Sequence, residues 1–203
     1  MTKAGGIVKK IKKSSNENFE GYMTGQLLIA MPAMLDFRFS QAVIYVCVHS
    51  AEGAMGLVVN RLENELTFSQ LLRQLDVNSP YIGQEIKIHS GGPVESGHGF
   101  ILHSAEYAQE ETIIVDDSIC LTATINILRD IANGKGPQRS LLALGYTGWG
   151  PGQLDNELKQ NAWLQVSADT ALVFGRDIEN KWNSAISKLG IDPLLLSGEA
   201  GNA

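Results

Sequence analysis

The order of elements along this chain predicts an α+β fold in a single domain. Strand-like apolar runs come first and in succession. Helical periodicities enter later, among further strands, without the regular βαβ alternation of a doubly wound sheet. With 203 residues, 44% of them hydrophobic and 19% charged, the chain is large enough to bury one ordinary core. The expected organisation is one domain over residues 21–203, a mixed sheet flanked by helices, preceded by a basic, flexible arm over residues 1–20.

Residues 26–31 are a short apolar run stopped by Pro32 and read as a strand. The connection 32–40 carries Met34, Leu35, Phe37 and Phe39, so it is expected to be partly buried. Residues 42–49 alternate: Ala42, Ile44, Val46 and Val48 line one face, and Val43, Tyr45, Cys47 and His49 the other. A turn at 50–53 leads to a second hairpin arm over 54–60. Thr67 caps a helix over 67–76, in which Phe68, Leu71, Leu72 and Leu75 recur at helical spacing. Short strands are expected at 86–89, 100–103 and 112–115. A helix over 122–132 places Ile125, Leu128, Ile131 and Ala132 on one face and ends at Asn133-Gly134. A strand at 140–145, a helix at 153–163, a strand at 172–174 and a helix at 178–189 complete the order.

The net charge of −6 speaks against a general nucleic-acid binder, but it is unevenly spread. Residues 1–20 carry +3, from Lys3, Lys9, Lys10, Lys12 and Lys13 against Glu17 and Glu20, and the rest carries −9. A solvated arm, a tether for nucleic acid or anionic lipid, and packing through Ile7, Val8 and Ile11 all fit it. No apolar run is long enough to span a bilayer, and no secretory h-region opens the chain. Cys47 and Cys120 are the only cysteines, which suits a reduced cytoplasmic protein with two buried thiols.

Residues 143–154, Ala-Leu-Gly-Tyr-Thr-Gly-Trp-Gly-Pro-Gly-Gln-Leu, set Gly145, Gly148, Gly150 and Gly152 around Tyr146 and Trp149, between a strand and a helix. As a phosphate cradle the segment fails. It holds no Lys or Arg, and Asp155 and Glu157 already occupy the positive end of the helix. A sharp strand-to-helix turn with Trp149 buried is the alternative.

Cys47 and His49 share a strand face by alternation, so an imidazolium beside a low-pKa thiolate is one reading and a buried structural cysteine the other. The less aliphatic character of that face suggests partial exposure near His49. His49, His89, His98 and His103 cluster in sequence without any metal-binding spacing, and His98 and His103 are expected to face opposite ways. Asp116-Asp117 reads as a solvated turn. Arg61 beside Asn60 suits a bidentate anion contact, or an ion pair with Glu63 or Glu65. No nucleophile elbow or helix-turn-helix pattern is present.

Several blocks together resemble one bacterial family, the YqgE/AlgH family: residues 26–34, 43–49, 53–61, 91–94 with 99–104, and 143–154. The resemblance covers about residues 25–203. It implies a single α+β domain whose mixed, folded sheet closes into a partial barrel, in a cytoplasmic bacterial protein. Members are often labelled transcriptional regulators, but the resemblance brings no reaction, catalytic residue, cofactor or metal. Cys47, His49, Asn60, Arg61, Gly91, Gly92, His103, Gly145, Trp149 and Gly152 match the family's motifs. His98 stands where arginine is common, and Leu62 where proline often follows Asn-Arg.

The resulting expectation is a non-enzymatic regulatory or interaction protein with an unidentified protein or small-molecule partner. Its candidate surface comprises Cys47, His49, Asn60, Arg61, Gly91, Gly92, His98, His103, Tyr146, Trp149, Gly150 and Gly152. The alternatives are a thiol-dependent redox protein centred on Cys47 and a nucleic-acid binder using the Lys-rich arm.

Overall fold

The structure, a computed structural model, describes residues 22–77 and 86–192, so the basic arm lies outside the described residues. Nine strands are present among them: β1 (Gln26–Ala30), β2 (Val43–Ser50), β3 (Gly53–Val58), β4 (Ile88–Ser90), β5 (Val94–Ser104), β6 (Ile113–Ile114), β7 (Ile119–Thr122), β8 (Ser140–Trp149) and β9 (Trp163–Ser167). The helices are α1 (Phe68–Gln74), α2 (Ile125–Ala132), α3 (Gln153–Lys159), α4 (Thr170–Phe174) and α5 (Lys181–Ser187). The strands form one mixed sheet in the order β6-β7-β5-β8-β3-β2-β1-β9, curled into a half-barrel. All pairings are antiparallel except that of β4, which runs parallel to β8. The first half of β8 thus lies between β5 and β4, and its second half pairs with β3.

The curl buries three apolar layers. On the inner face Leu27, Tyr45, Leu57, Phe100, Leu102 and Leu141 pack under Val173 of α4 and Trp182 and Ile186 of α5. On the outer face of β1–β3 and β9, Ile44, Val46, Trp149 and Trp163 pack against Leu154 of α3. On the outer face of β5 and β8, Ile101 and Leu142 are covered by Phe68, Leu71 and Leu72 of α1 and by Ile127 and Leu128 of α2. Each large side chain so buried contributes about 1.5–3 kcal/mol.

Thr67 does cap α1, in a reciprocal box with Gln70. Across the concave face the Tyr45 hydroxyl donates to Asp116 Oδ2 at 2.6 Å. Asp116 is therefore not a solvated turn residue. It ties β2 to the β6–β7 turn and also accepts from the backbone N–H groups of Ser118 and Ile119.

Several expected boundaries differ, among them β5, expected over 100–103, which starts at Val94. Residues 172–174 belong to helix α4, not to a strand, and the Asp169 carboxylate caps that helix by accepting from the Leu172 N–H at 2.7 Å. A three-residue apolar run has no period with which to distinguish helix from strand. Thr122 ends strand β7, and the helix starts only after Thr124. The helix expected to reach residue 163 stops at Lys159, Asn161 turns left-handed at φ 56°, and Trp163 opens β9. Finally, the strand expected at 140–145 runs on to Trp149, so most of the glycine-rich segment is strand rather than turn.

Candidate functional site

Two local irregularities decide which way the singled-out side chains face. Between Val46 and Val48 the β2–β3 register shifts by a bulge. Tyr45 pairs with Leu57 and Val48 with Met55, both inner-face residues, whereas His49 pairs with Ala54 of the outer layer. Cys47 and His49 therefore do not share a face. Cys47 is 1% exposed in the inner core, with its Sγ 3.7 Å from the Tyr45 carbonyl oxygen, and burial pushes its thiol up, away from the thiolate form. His49 is buried on the outer side rather than partly exposed. Its Nδ1 accepts from the Met23 N–H at 3.1 Å, and its Nε2 lies 3.6 Å from Asp155 of α3. Burial lowers its pKa, against the opposing pull of Asp155.

The second irregularity is at Gly145. Its φ of +70° is a left-handed conformation, and a Cβ there would collide with the Gly92 carbonyl. The β5–β8 register shifts at the same place, between Val94 and Gly99. Alternation along β8 is thereby reset: Leu141 and Ala143 face inward, as does Tyr146, which stacks edge-on against Phe100 at 5.7 Å. Trp149 faces outward, into the layer under α3. Gly91 and Gly92 are the other half of this close backbone crossing, where Cβ atoms would strike the Gly145 and Tyr146 carbonyls. Gly150 and Gly152 form the short turn before α3.

Asn60 and Arg61 prove to be clamps on the 36–41 segment. Asn60 accepts from the Val43 N–H at 2.8 Å and donates to the Gln41 carbonyl at 2.8 Å. The Arg61 guanidinium donates to the carbonyls of Arg38 and Ser40, not to the carboxylates of Glu63 or Glu65. The segment so held forms one wall of an outer cleft of about 580 Å³, whose lining includes Met31, Met34, Phe39, Thr147, Trp149 and Trp163. Trp149 and Trp163 meet edge to face at 6.1 Å. Both indole N–H groups donate to Glu157 Oε2, at 2.9 and 2.7 Å, and Gln153 donates to the other carboxylate oxygen. Glu157 thus serves the cleft wall, while Asp155 sits in the first turn of α3 beside His49. Leu35, at the rim, is 100% exposed, and Phe37, two residues on, is 83% exposed. The buried Thr147 hydroxyl on the cleft floor has no hydrogen-bond partner among the described residues.

The histidines do not converge. His103 is fully buried on the outer side, with Nε2 2.8 Å from the Thr122 hydroxyl, and His98 stacks on Phe100 from the inner side, so these two do face opposite ways. His89, in β4, pairs with the inner-face residue Ala143. It lines a second, separate cavity of about 670 Å³ on the concave side, together with Lys87, Gln138, Arg139, Thr170 and Arg176. Sequence reading did not single out this cavity. Its lining residues come from β4, the start of β8 and α4 with the segment after it, and share no local pattern. Among the described residues no group of three or more His, Cys, Asp or Glu is placed to hold a metal, and no helix is long and apolar enough to cross a membrane.

The AlgH-like family matches residues 27–194. A UPF0301 protein of Nitrobacter hamburgensis is 52% identical over 192 residues, covering 91% of this chain and 89% of the relative. A UPF0301 protein of Rhodospirillum rubrum is 51% identical, covering 92% and 97%. Among solved structures, the AlgH protein of Pseudomonas aeruginosa superposes with a TM-score of 0.75 at 39% identity, covering 93% of this chain and all of the other. A Corynebacterium diphtheriae protein with a TM-score of 0.69 at 17% identity shares the fold. The chain belongs to the AlgH-like family.

Proposed function

For this member of the AlgH-like family we propose a non-enzymatic interaction role, in which the outer cleft receives an apolar side chain from a partner polypeptide. The observation that carries this reading is the pairing of a tryptophan-walled cleft with large apolar residues exposed on its bounding segment, Leu35 at the rim and Phe37 beside it. Exposed apolar groups around a well-packed aromatic pocket are the anatomy of an interface hot spot. The indole N–H groups are already committed to Glu157, so the walls offer apolar area rather than free donors. Asn60 and Arg61 contribute indirectly, by fixing the 36–41 segment, which carries Phe37 and adjoins Leu35. A regulatory role would follow from the identity of that partner.

The test is a photo-crosslinking residue placed singly at Leu35, Phe37 and Ile114, in cells making the full-length chain. Ile114 is also exposed, but it lies on β6, at the far end of the sheet order. One discrete adduct at positions 35 and 37, absent at 114 and abolished by Met34→Asp in the cleft, is expected. Adducts at all three positions, or at none, would sink the reading.

The two alternatives have separate tests. A thiol-dependent role requires Cys47 to react rapidly in the native protein, whereas its burial favours labelling only on unfolding. Nucleic-acid binding through the arm requires that deleting residues 1–20 remove a salt-sensitive affinity.

A further inference from the structure

The concave cavity around His89 has a composition unlike the rest of this acidic protein. Lys87, Arg139 and Arg176 line it, and among the described residues no Asp or Glu does. Lys181 is 2% exposed, and its ammonium donates to the carbonyls of Val59 and Val173 at 3.0 and 2.9 Å rather than to a carboxylate. It lies near enough to His89 for its charge to disfavour protonation of the imidazole, adding to the larger effect of burial. The apolar part of the wall is Ile86, Phe174 and Ile178.

His89 itself is the second, independent sign. It is 6% exposed, and neither ring nitrogen has a hydrogen-bond partner among the described residues. The carbonyls of Leu142 and Lys87 lie close enough to favour the protonated ring slightly, without reaching hydrogen-bond geometry. Leaving a buried polar group unsatisfied costs its full desolvation, so such a group is generally met by water, an ion or a ligand.

We propose that this cavity binds the phosphate group of a small organic phosphate. His89 donates one ring N–H to a phosphate oxygen at the floor. Lys87 and Arg139 neutralise charge at the mouth, and Ile86, Phe174 and Ile178 receive the organic part. Two cations, Lys87 and Arg139, in a lining with no Asp or Glu among the described residues match a doubly charged group better than a single carboxylate, and a guanidinium fork suits phosphate oxygens. This inference is independent of the outer cleft, which lies on the other face of the sheet.

The experiment is an NMR titration of the full-length protein, labelled at the histidine ring nitrogens, at constant ionic strength near neutral pH. The probes are inorganic phosphate, phenyl phosphate and acetate. A saturable shift of the His89 ring nitrogens with phosphate is expected, tighter with phenyl phosphate, while His103, already bonded to Thr122, stays in place. Lys87→Gln and Arg139→Gln should each weaken phosphate binding by about tenfold, the loss of one charge-assisted contact. Arg129→Gln on α2 should change nothing. Arg139 also donates to the Thr170 hydroxyl, so exposed Lys87 provides the variant free of that structural contact. The proposal is overturned if His89 does not respond to phosphate, if acetate matches phosphate, or if Arg129→Gln weakens binding as much as Lys87→Gln.

Discussion

The two concave regions of this protein differ in how their buried polar groups are treated. In the outer cleft both tryptophan N–H groups end on one carboxylate, Glu157, which also receives Gln153. In the inner cavity an imidazole is buried with neither nitrogen bonded among the described residues, and near it a buried ammonium is held by two carbonyls. The first arrangement stabilises a rigid apolar surface. The second leaves a buried electrostatic cost that an anion would offset. The same sheet thus carries an interface-like region on one face and a ligand-like region on the other.

The largest expected effect comes from removing an anchor of each region. Trp149→Ala should destabilise by about 3–5 kcal/mol, the usual range for deleting a buried aromatic. His89→Phe should be near neutral or stabilising, since it removes a buried group with no hydrogen-bond partner among the described residues. Urea unfolding of both variants checks this, and equal destabilisation would break the contrast.

Acid should expose the inner region next. Burial holds the His89 pKa at about 4, against 6.5 for the free side chain. The unfolded chain therefore takes up this proton first as pH falls. Relative to His89→Phe, the wild-type protein should keep its stability above pH 6.5 and lose up to about 3 kcal/mol by pH 4. Stability curves for the pair that stay parallel across this window would show that the imidazole is not held neutral.

Lys181 should act in the opposite limb. Its pKa is pulled down to about 8 by burial, from 10.5, so the folded state gives up its proton first as pH rises. Wild type should gain on Lys181→Met by about 3 kcal/mol between pH 8 and 10.5, measured by chemical denaturation. A bound phosphate would reduce this gain by favouring the charged ammonium. No change with phosphate would separate Lys181 from the proposed site.

The smallest effect belongs to the clamp on the outer cleft. Asn60→Ala removes one contact to the Val43 N–H and one to the Gln41 carbonyl, and should cost about 1–2 kcal/mol. Increased amide exchange confined to residues 36–41 would sharpen the assignment of Asn60 as a positioning residue for the cleft wall.

Much of the architecture was legible in the chain because local periodicity carries it. The β2–β3 hairpin, helix α1 with its Thr67 cap, and the half-barrel implied by family resemblance all stand in the structure. The candidate surface was legible only in parts. Its residues are divided among the inner core at Cys47, the outer layers at His49, His103 and Trp149, the clamp at Asn60 and Arg61, and the backbone crossing at Gly91, Gly92 and Gly145. Alternation assigns Cys47 and His49 to one face, and a single bulge separates them. A bulge depends on the partner strand, so the β2 sequence alone does not announce it.

What the sequence by itself determined is the kind of element that the longer periodic segments form, the position of helix α1 with its cap, and the family to which the chain belongs. These follow from side-chain period, capping chemistry and the motifs shared with relatives. Only the tertiary structure decided which face each side chain takes after the two register shifts. It alone brought Lys181 near His89, and it alone formed an inner cavity from residues of separate elements. The physical reason is that the desolvation of a polar group, and whether anything meets it, depend on what the fold places opposite it.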